Sequence, residues 1–270
     1  MGLYLRPATL EDALAALGAR RWTVLAGATD HFPARGETPP DEDILDISAM
    51  PRAITREGEG WHIPCGATWA DVMAADLPPA FDALKQAAGQ VGGRQVQNMG
   101  TLAGNLCNAS PAADGVPCLL AMQAEVAIAG PRGVRRLDVA DFVLGPRRTA
   151  LAADEIVTGL HIPAPSGRRS AFVKLGARRF LVISIAMAAV SLDIAGGVVT
   201  AARVALGACG PVAVRLPEVE AALVGYAPDP GRVQQAQFAG LAPIDDIRAT
   251  AAYRREAAVE LVRRAVGELA

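Results

Sequence analysis

QNMGTLAGNLCNASPAAD, from Gln97 to Asp114, is the stretch whose reading decides the fold. It gathers Gly100, Gly104, Asn98, Asn105, Asn108, Thr101, Ser110 and one carboxylate, with few bulky apolar positions. That composition predicts a loop rather than a core strand or an amphipathic helix. Glycine lets a backbone approach a ligand closely, and Thr, Asn and Ser supply neutral donors and acceptors. Such a segment can hold a phosphate through oriented amides without a cationic side chain. Asp114 stands at a spacing that could reach a ribose hydroxyl of the same ligand. An ordinary turn-rich connection has the same composition.

A second candidate cradle lies upstream. Trp22 to Leu25 reads as a short apolar strand, and AGATDHFPARG follows it at once. There Gly27 permits close approach, and Thr29 and Asp30 can order the turn through side-chain bonds. Around these two stretches the chain alternates. A strand over 3–6 precedes a helix capped by Thr9, and a strand at 44–47 precedes a hairpin at 53–64 turning through Glu57–Gly60. Thr68 caps a second helix, and another over 81–91 ends at Gly92 and Gly93. An apolar helix spans 116–123, strands pair over 125–137, and a strand occupies 156–162. Pro163 to Gly167, PAPSG, marks a domain boundary. Beyond it come strands over 171–175, 183–194 and 198–206, though 183–190 could equally start as helix, then helices over 218–223, 232–238 and 249–266.

With 270 residues, 51% of them hydrophobic, the chain can bury a large core. A net charge of −2 argues against a polyanion binder, so no nucleic-acid partner is expected. The most apolar stretch, 181–194, is too short to span a bilayer, and the N-terminus lacks a signal-peptide pattern. A cytoplasmic protein without a membrane span is expected. The four cysteines include no C-x-x-C pair, which predicts no metal or iron–sulfur site on this chain. H-E-x-x-H, G-x-S-x-G, Walker and G-x-G-x-x-G patterns are missing, so no side chain stands out as a catalytic acid, base or nucleophile.

Three stretches together resemble one family. LAGATD at 25–30 resembles the first flavin-pyrophosphate loop of the FAD-binding subunits of molybdenum hydroxylases, the group that includes xanthine dehydrogenase, carbon monoxide dehydrogenase and aldehyde oxidoreductase flavoproteins. NMGTLAGNLCNASPAAD at 98–114 resembles the second loop, and DDIRATAAYRR at 245–255 resembles the start of the last helix. The resemblance covers nearly the whole chain, in order. It implies an α+β architecture: a vanillyl-alcohol-oxidase-type (PCMH) FAD-binding domain over 1–165, with α/β subdomains of about 1–52 and 53–165. A small C-terminal domain with an antiparallel sheet and helices would follow over 168–270.

The resemblance also implies site residues. Amides of Ala26, Gly27, Ala28, Thr29 and Asp30, and of Thr101, Leu102, Ala103, Gly104 and Asn105, would surround the FAD pyrophosphate. Asp114 would lie near the adenosine part. Glu155, Ile156 and Val157 would fall on the strand passing the flavin ring, and Lys174 near the flavin edge. Lys174 is one of only two lysines in an arginine-rich chain, and a point charge there could tune the flavin; a surface strand lysine is the plainer alternative. The sequence departs from the family at Ala28 and Ala103, which replace glycines, and at Gln97, which replaces an arginine. An alanine at either position is compatible with the loop only where positive φ is not needed. The implied function is an electron-transfer flavoprotein. It would take electrons from [2Fe–2S] clusters on a small partner subunit and pass them through FAD to NAD+, oxygen or another acceptor. The molybdenum cofactor would sit on a large molybdopterin-binding subunit. A stand-alone flavin oxidase or reductase, and a scaffold that has lost flavin, are the alternatives.

Overall fold

The structure is a computed structural model that describes residues 2–39, 41–164 and 167–270. Pro165 and Ser166, in the middle of PAPSG, lie outside the described residues. Three main sheets, beside a two-stranded ribbon of Val143–Gly145 and Arg148–Thr149, organise the described residues. Tyr4–Leu5, Ile44–Asp46 and Thr23–Leu25 form a parallel sheet with Ile44–Asp46 in the centre. Parallel strands need a crossover, and the helix Leu10–Ala19 supplies it. Thr9 caps that helix by accepting from the Asp12 amide, and Ala13 and Leu17 face the core.

The second sheet is antiparallel, in the order Thr55–Glu57, Gly60–Pro64, Ile156–Pro163, Glu125–Gly130, Gly133–Asp138. Its central strand is the last of the five in sequence, so two local hairpins are joined by a distant segment. Ile156, Val157, Leu160 and Ile162 on that strand are buried. The third sheet runs Arg168–Leu175, Ala186–Ala195, Val198–Gly207, Val214–Arg215, all antiparallel. Gly196 and Gly197, both at positive φ, close its central hairpin. The helix Ala251–Gly267, capped by Thr250, packs on this sheet.

Helices Asp82–Gln90 and Gly115–Ala121 pack on the third sheet, the first of them along the strand Arg168–Leu175. The edge strand Arg168–Leu175 is thereby covered instead of left to pair with another chain. Polar bonds complete the seam. Ser170 Oγ donates to Ala80 O at 2.8 Å and accepts from Ala83 N at 2.9 Å, and the Phe172 amide donates to Gln86 Oε1 at 2.6 Å.

Two expectations from the sequence are corrected. The 97–114 stretch is not a loop throughout: Arg94–Met99 and Leu102–Asn108 are helical, joined at Gly100. Thr101 caps the second helix, and Leu102, Ala103 and Leu106 supply a short buried face that the polar composition masks. The expected helix at 232–238 is instead two 3-10 turns, Pro230–Arg232 and Gln235–Phe238. A five-residue helix, His31–Arg35, also lies within the first candidate cradle.

Ser170→Ala should lower unfolding stability by about 1–2 kcal/mol, because it leaves the buried Ala83 N–H without an acceptor. Urea denaturation of the two forms side by side measures this.

Candidate functional site

The strand Thr23–Leu25 delivers the chain to residues 26–30 directly opposite the Gly100 junction. The two segments meet backbone to backbone at Gly27. A Cβ there would lie 1.8 Å from the Met99 carbonyl oxygen and 2.9 Å from the Gly100 Cα, so only glycine fits. Gly100 is similarly hemmed in, 3.0 Å from Val96 O and 3.2 Å from Thr29 Oγ1 at the position of a Cβ. Ala28 has φ +53°, in the left-handed region, where a Cβ costs about 1–2 kcal/mol. The segment therefore keeps a glycine-like bend without the glycine. Ala103 carries no such burden, since it sits within the Leu102–Asn108 helix.

Between the segments lies a cavity of about 660 Å³, lined by residues 26–30 on one side and Thr101, Gly104 and Asn105 on the other. Among the described residues, the amides of 26–30 donate to no protein group. Five consecutive donors beside a cavity, bent by a left-handed residue, have the form of an anion nest. The facing wall is more fully engaged. Leu102 N donates to Ala67 O, Gly104 N to Thr101 Oγ1 at 2.9 Å, and Asn105 N to Thr101 O. Gly104 still matters for space, because its missing side chain leaves the cavity open beside the Thr101 hydroxyl. These features fit a pyrophosphate-bearing cofactor.

Several lining groups were not singled out from the sequence. Arg147 comes from a tight turn, at φ +57°, and its guanidinium bonds Asp30 Oδ2 at 2.7 Å and the Asn108 side chain. It thus ties the two walls together at the cavity mouth. Arg35 also lines the cavity, held by Glu42, which His31 meets as well at 2.9 Å. Hydrogen bonds from the Glu42 backbone amide and from His31 and Arg35 hold the Glu42 carboxyl down at about 2. Trp69 and Cys107 complete the lining from neighbouring helices.

The remaining residues singled out from the sequence do not line this cavity. Asp114 is buried at the seam with the third sheet. Its Oδ2 accepts from Lys174 Nζ at 2.6 Å and its Oδ1 from Ser184 Oγ at 2.5 Å. Both oxygens are therefore engaged, and Lys174 is 5% exposed, not a surface lysine. Burial pushes the Asp114 carboxyl up, opposed by Lys174 and Ser184. Glu155 binds Arg135 through both oxygens, at 2.9 and 2.7 Å, and Arg132 at 3.4 Å. The Arg135 guanidinium above all holds its carboxyl down at about 2. Ile156 and Val157 are buried in the central strand of the second sheet. Gln97 donates to Gly89 O and Val91 O, fastening its helix to the preceding one.

Comparison with known proteins follows these features closely. Residues 1–165 match the FAD binding domain in molybdopterin dehydrogenase, and residues 171–269 the CO dehydrogenase flavoprotein C-terminal domain. The chain is 30% identical to the nicotine 6-hydroxylase medium subunit of Paenarthrobacter nicotinovorans, over 98% of this chain and 96% of that one. It is 34% identical to the nicotinate dehydrogenase FAD-subunit of Eubacterium barkeri, over 82% and 79% of the respective chains. Among solved structures, a chain of reconstituted CO dehydrogenase from Oligotropha carboxidovorans superposes with a TM-score of 0.92 at 28% identity, covering 99% of this chain and 96% of that one.

Lys174→Met should cost about 3–5 kcal/mol at pH 7, the usual penalty for stranding one member of a buried pair. The stranded Asp114 carboxyl is easier to bury protonated, so its folded-state pKa lies above the unfolded value. The loss should therefore grow as pH rises above the ordinary carboxylate range and shrink toward pH 4. Adding Asp114→Asn should recover most of it. Urea unfolding of wild type, single and double variants at the two pH values measures both effects.

Proposed function

The chain belongs to the family of FAD-binding domains of molybdopterin dehydrogenases, and from that premise we propose that it is the electron-transfer flavoprotein subunit of a multi-subunit molybdenum hydroxylase. The observation that carries this reading is the row of five undonated amides at 26–30 across the cavity from Thr101 and Gly104. FAD, when bound, supplies the coupling between one-electron delivery by iron–sulfur clusters and two-electron reduction of an acceptor.

The chain's own residues hold and shield that cofactor. Amides of 26–30 would hold the pyrophosphate, with Thr101, Gly104 and Asn105 on the other wall. Arg147 stands where it can shift from Asp30 toward a phosphate. Leu102 keeps the second wall in place through its bond to Ala67, and the Thr101 hydroxyl holds the Gly104 amide. Asp114 acts through Lys174 and Ser184, fixing the start of the Gly115–Ala121 helix against the C-terminal sheet. Lys174 is tied to Asp114 and so is not an isolated charge free to face a flavin. Glu155, Ile156 and Val157 hold the central strand beside which the flavin ring is expected. Residues 1–165, with subdomains of about 1–52 and 53–165, would carry the cofactor, and 168–270 would close over it.

The organic substrate is then handled elsewhere, on a large molybdopterin-binding subunit, with [2Fe–2S] clusters on a small one. Among the described residues no three His, Cys, Asp or Glu side chains gather as a metal site. NAD+ or oxygen are the candidate acceptors. No described helix is long and apolar enough to cross a membrane, and a cytoplasmic location is proposed.

The complex purified with its partners should contain one FAD per copy of this chain. Gly104→Val should strip that FAD while the chain still assembles, since a branched side chain fills the cavity and displaces the Thr101 cap. Stopped-flow spectroscopy should then show clusters reduced by substrate but no reduction of the acceptor. Full FAD content in the Gly104→Val complex would place the cofactor elsewhere.

A further inference from the structure

Two arginines line the cofactor cavity, and their donors are spent differently. Arg35 has every nitrogen engaged: Nε donates to Thr38 O, Nη1 to both Glu42 oxygens and Nη2 to Pro39 O. Arg147 uses one nitrogen for all its contacts. Its Nη1 meets Asp30 Oδ2 at 2.7 Å, Asn108 O at 3.3 Å and the Asn108 side-chain oxygen. Among the described residues, Nε and Nη2 of Arg147 donate to no protein acceptor. Those two nitrogens form the edge with which arginine grips a phosphate or carboxylate through parallel bonds.

The fold carries Arg147 to this place at a cost. The residue turns the ribbon between Val143–Gly145 and Arg148–Thr149 at φ +57°. Glycine is the ordinary occupant of such a conformation, and a side chain there is unfavourable. Backbone strain of this sort persists where the surrounding structure enforces it, and it clusters at ligand clamps. The Arg147 amide donates to Ala109 O at 2.9 Å, and Ala109, itself at φ +45°, ends the Leu102–Asn108 helix. The backbone of Arg147 is thereby anchored to the second wall, while its side chain reaches the first.

Its grip on Asp30 is weak by comparison. Both side chains are 55% exposed, and an ion pair in water gains little and is screened by salt. The guanidinium can leave Asp30 while its backbone stays fixed. The 26–30 amides can surround a phosphate, but as neutral donors they do not balance its charge. With Arg35 matched by Glu42, Arg147 is the lining arginine that has donors left to give.

We propose that Arg147 is the charged clamp of this site, exchanging Asp30 for a non-bridging oxygen of the bound pyrophosphate, with Asp30 as the competing anion. The proposal rests on the flavoprotein reading above. Competition gives the two residues opposite signs: losing the arginine weakens cofactor binding, and losing the carboxylate strengthens it. A simple tie between the walls would lose affinity in both cases.

The test titrates the FAD-depleted full chain with FAD by flavin fluorescence, and with ADP by calorimetry, at low and high KCl. Arg147→Gln should raise both dissociation constants roughly tenfold and flatten their rise with salt. Arg147→Lys should fall between, since it keeps the charge and loses the fork. Asp30→Asn should tighten FAD binding, and that gain should shrink in the Arg147→Gln background. Both positions are more than half exposed, so the variants should melt like wild type. Wild-type affinity in Arg147→Gln would overturn the clamp. Equal weakening in Arg147→Gln and Asp30→Asn, with salt dependence unchanged, would overturn it in favour of the tie. A gain from Asp30→Asn that persists undiminished without Arg147 would overturn the exchange. A wild-type chain that binds no FAD would count against the flavoprotein reading itself, and the ADP titrations would still decide the role of Arg147.

Discussion

The contact on which the site depends is the approach of the Gly27 backbone to the Met99 carbonyl. Two segments some seventy positions apart in sequence cross there with no side chain between them, a Cβ at Gly27 falling only 1.8 Å from that oxygen. Everything that defines the cavity follows from it. The crossing sets the distance between the 26–30 amides and the Thr101 turn, and it fixes the Arg94–Met99 helix by its C-terminal end. Trp69 N donates to Gly100 O and Leu102 N to Ala67 O, so the crossing is also sewn into the segment before the Trp69–Ala74 helix. A methyl group at this one position would have to push apart backbone held from both sides, a much harder accommodation than turning a flexible side chain.

A second constraint acts at the seam between the FAD-binding part and the C-terminal sheet. Asp114, Lys174 and Ser184 are all buried, and each needs the other two to tolerate burial. Such a cluster is costly to assemble and costlier to break, so it selects one docking of the Gly115–Ala121 helix on the sheet. Ser170 and Gln86 do the same with neutral hydrogen bonds further along the edge strand. Charge at the seam is thus spent on holding two parts together. In the cavity, by contrast, donors on the 26–30 wall are backbone amides, which do not titrate, and the arginines that line it are paired with Asp30 and Glu42.

Much of the fold was legible where local chemistry decides local structure. Thr9 and Thr68 announce helix starts, the Gly196–Gly197 pair announces a hairpin, and alternating elements announce the sheets. Both cradle segments were visible because close backbone approach demands glycine. What stayed hidden depends on distant partners. The Leu102–Asn108 helix is short and polar on its open face, and only burial of Leu102 and Leu106 makes it helical. Arg147 reaches the cavity from a turn more than a hundred residues beyond Asp30, and no spacing rule links them. Asp114 stands at a spacing suited to a ribose, yet its oxygens turn toward Lys174 and Ser184, sixty and seventy residues on. Ala28 reverses the usual inference: the left-handed bend is kept and the glycine is not, so composition alone understates the turn.

These placements bear on how one chain can grip a cofactor firmly and still exchange electrons across its surface. A grip made of amides and a glycine crossing is rigid, because each donor is fixed by the backbone on either side of it. The strained Leu181 loop, at φ +52° and held by Arg178 through the Leu181 carbonyl, lies against Gly93 at the start of the Arg94–Met99 helix, apolar and exposed. Strain there is tolerable because the seam cluster, only three residues on at Ser184, anchors the loop's end in the core. The exposed loop is therefore bounded on one side by the buried ion pair and on the other by the helix that backs the cofactor cradle.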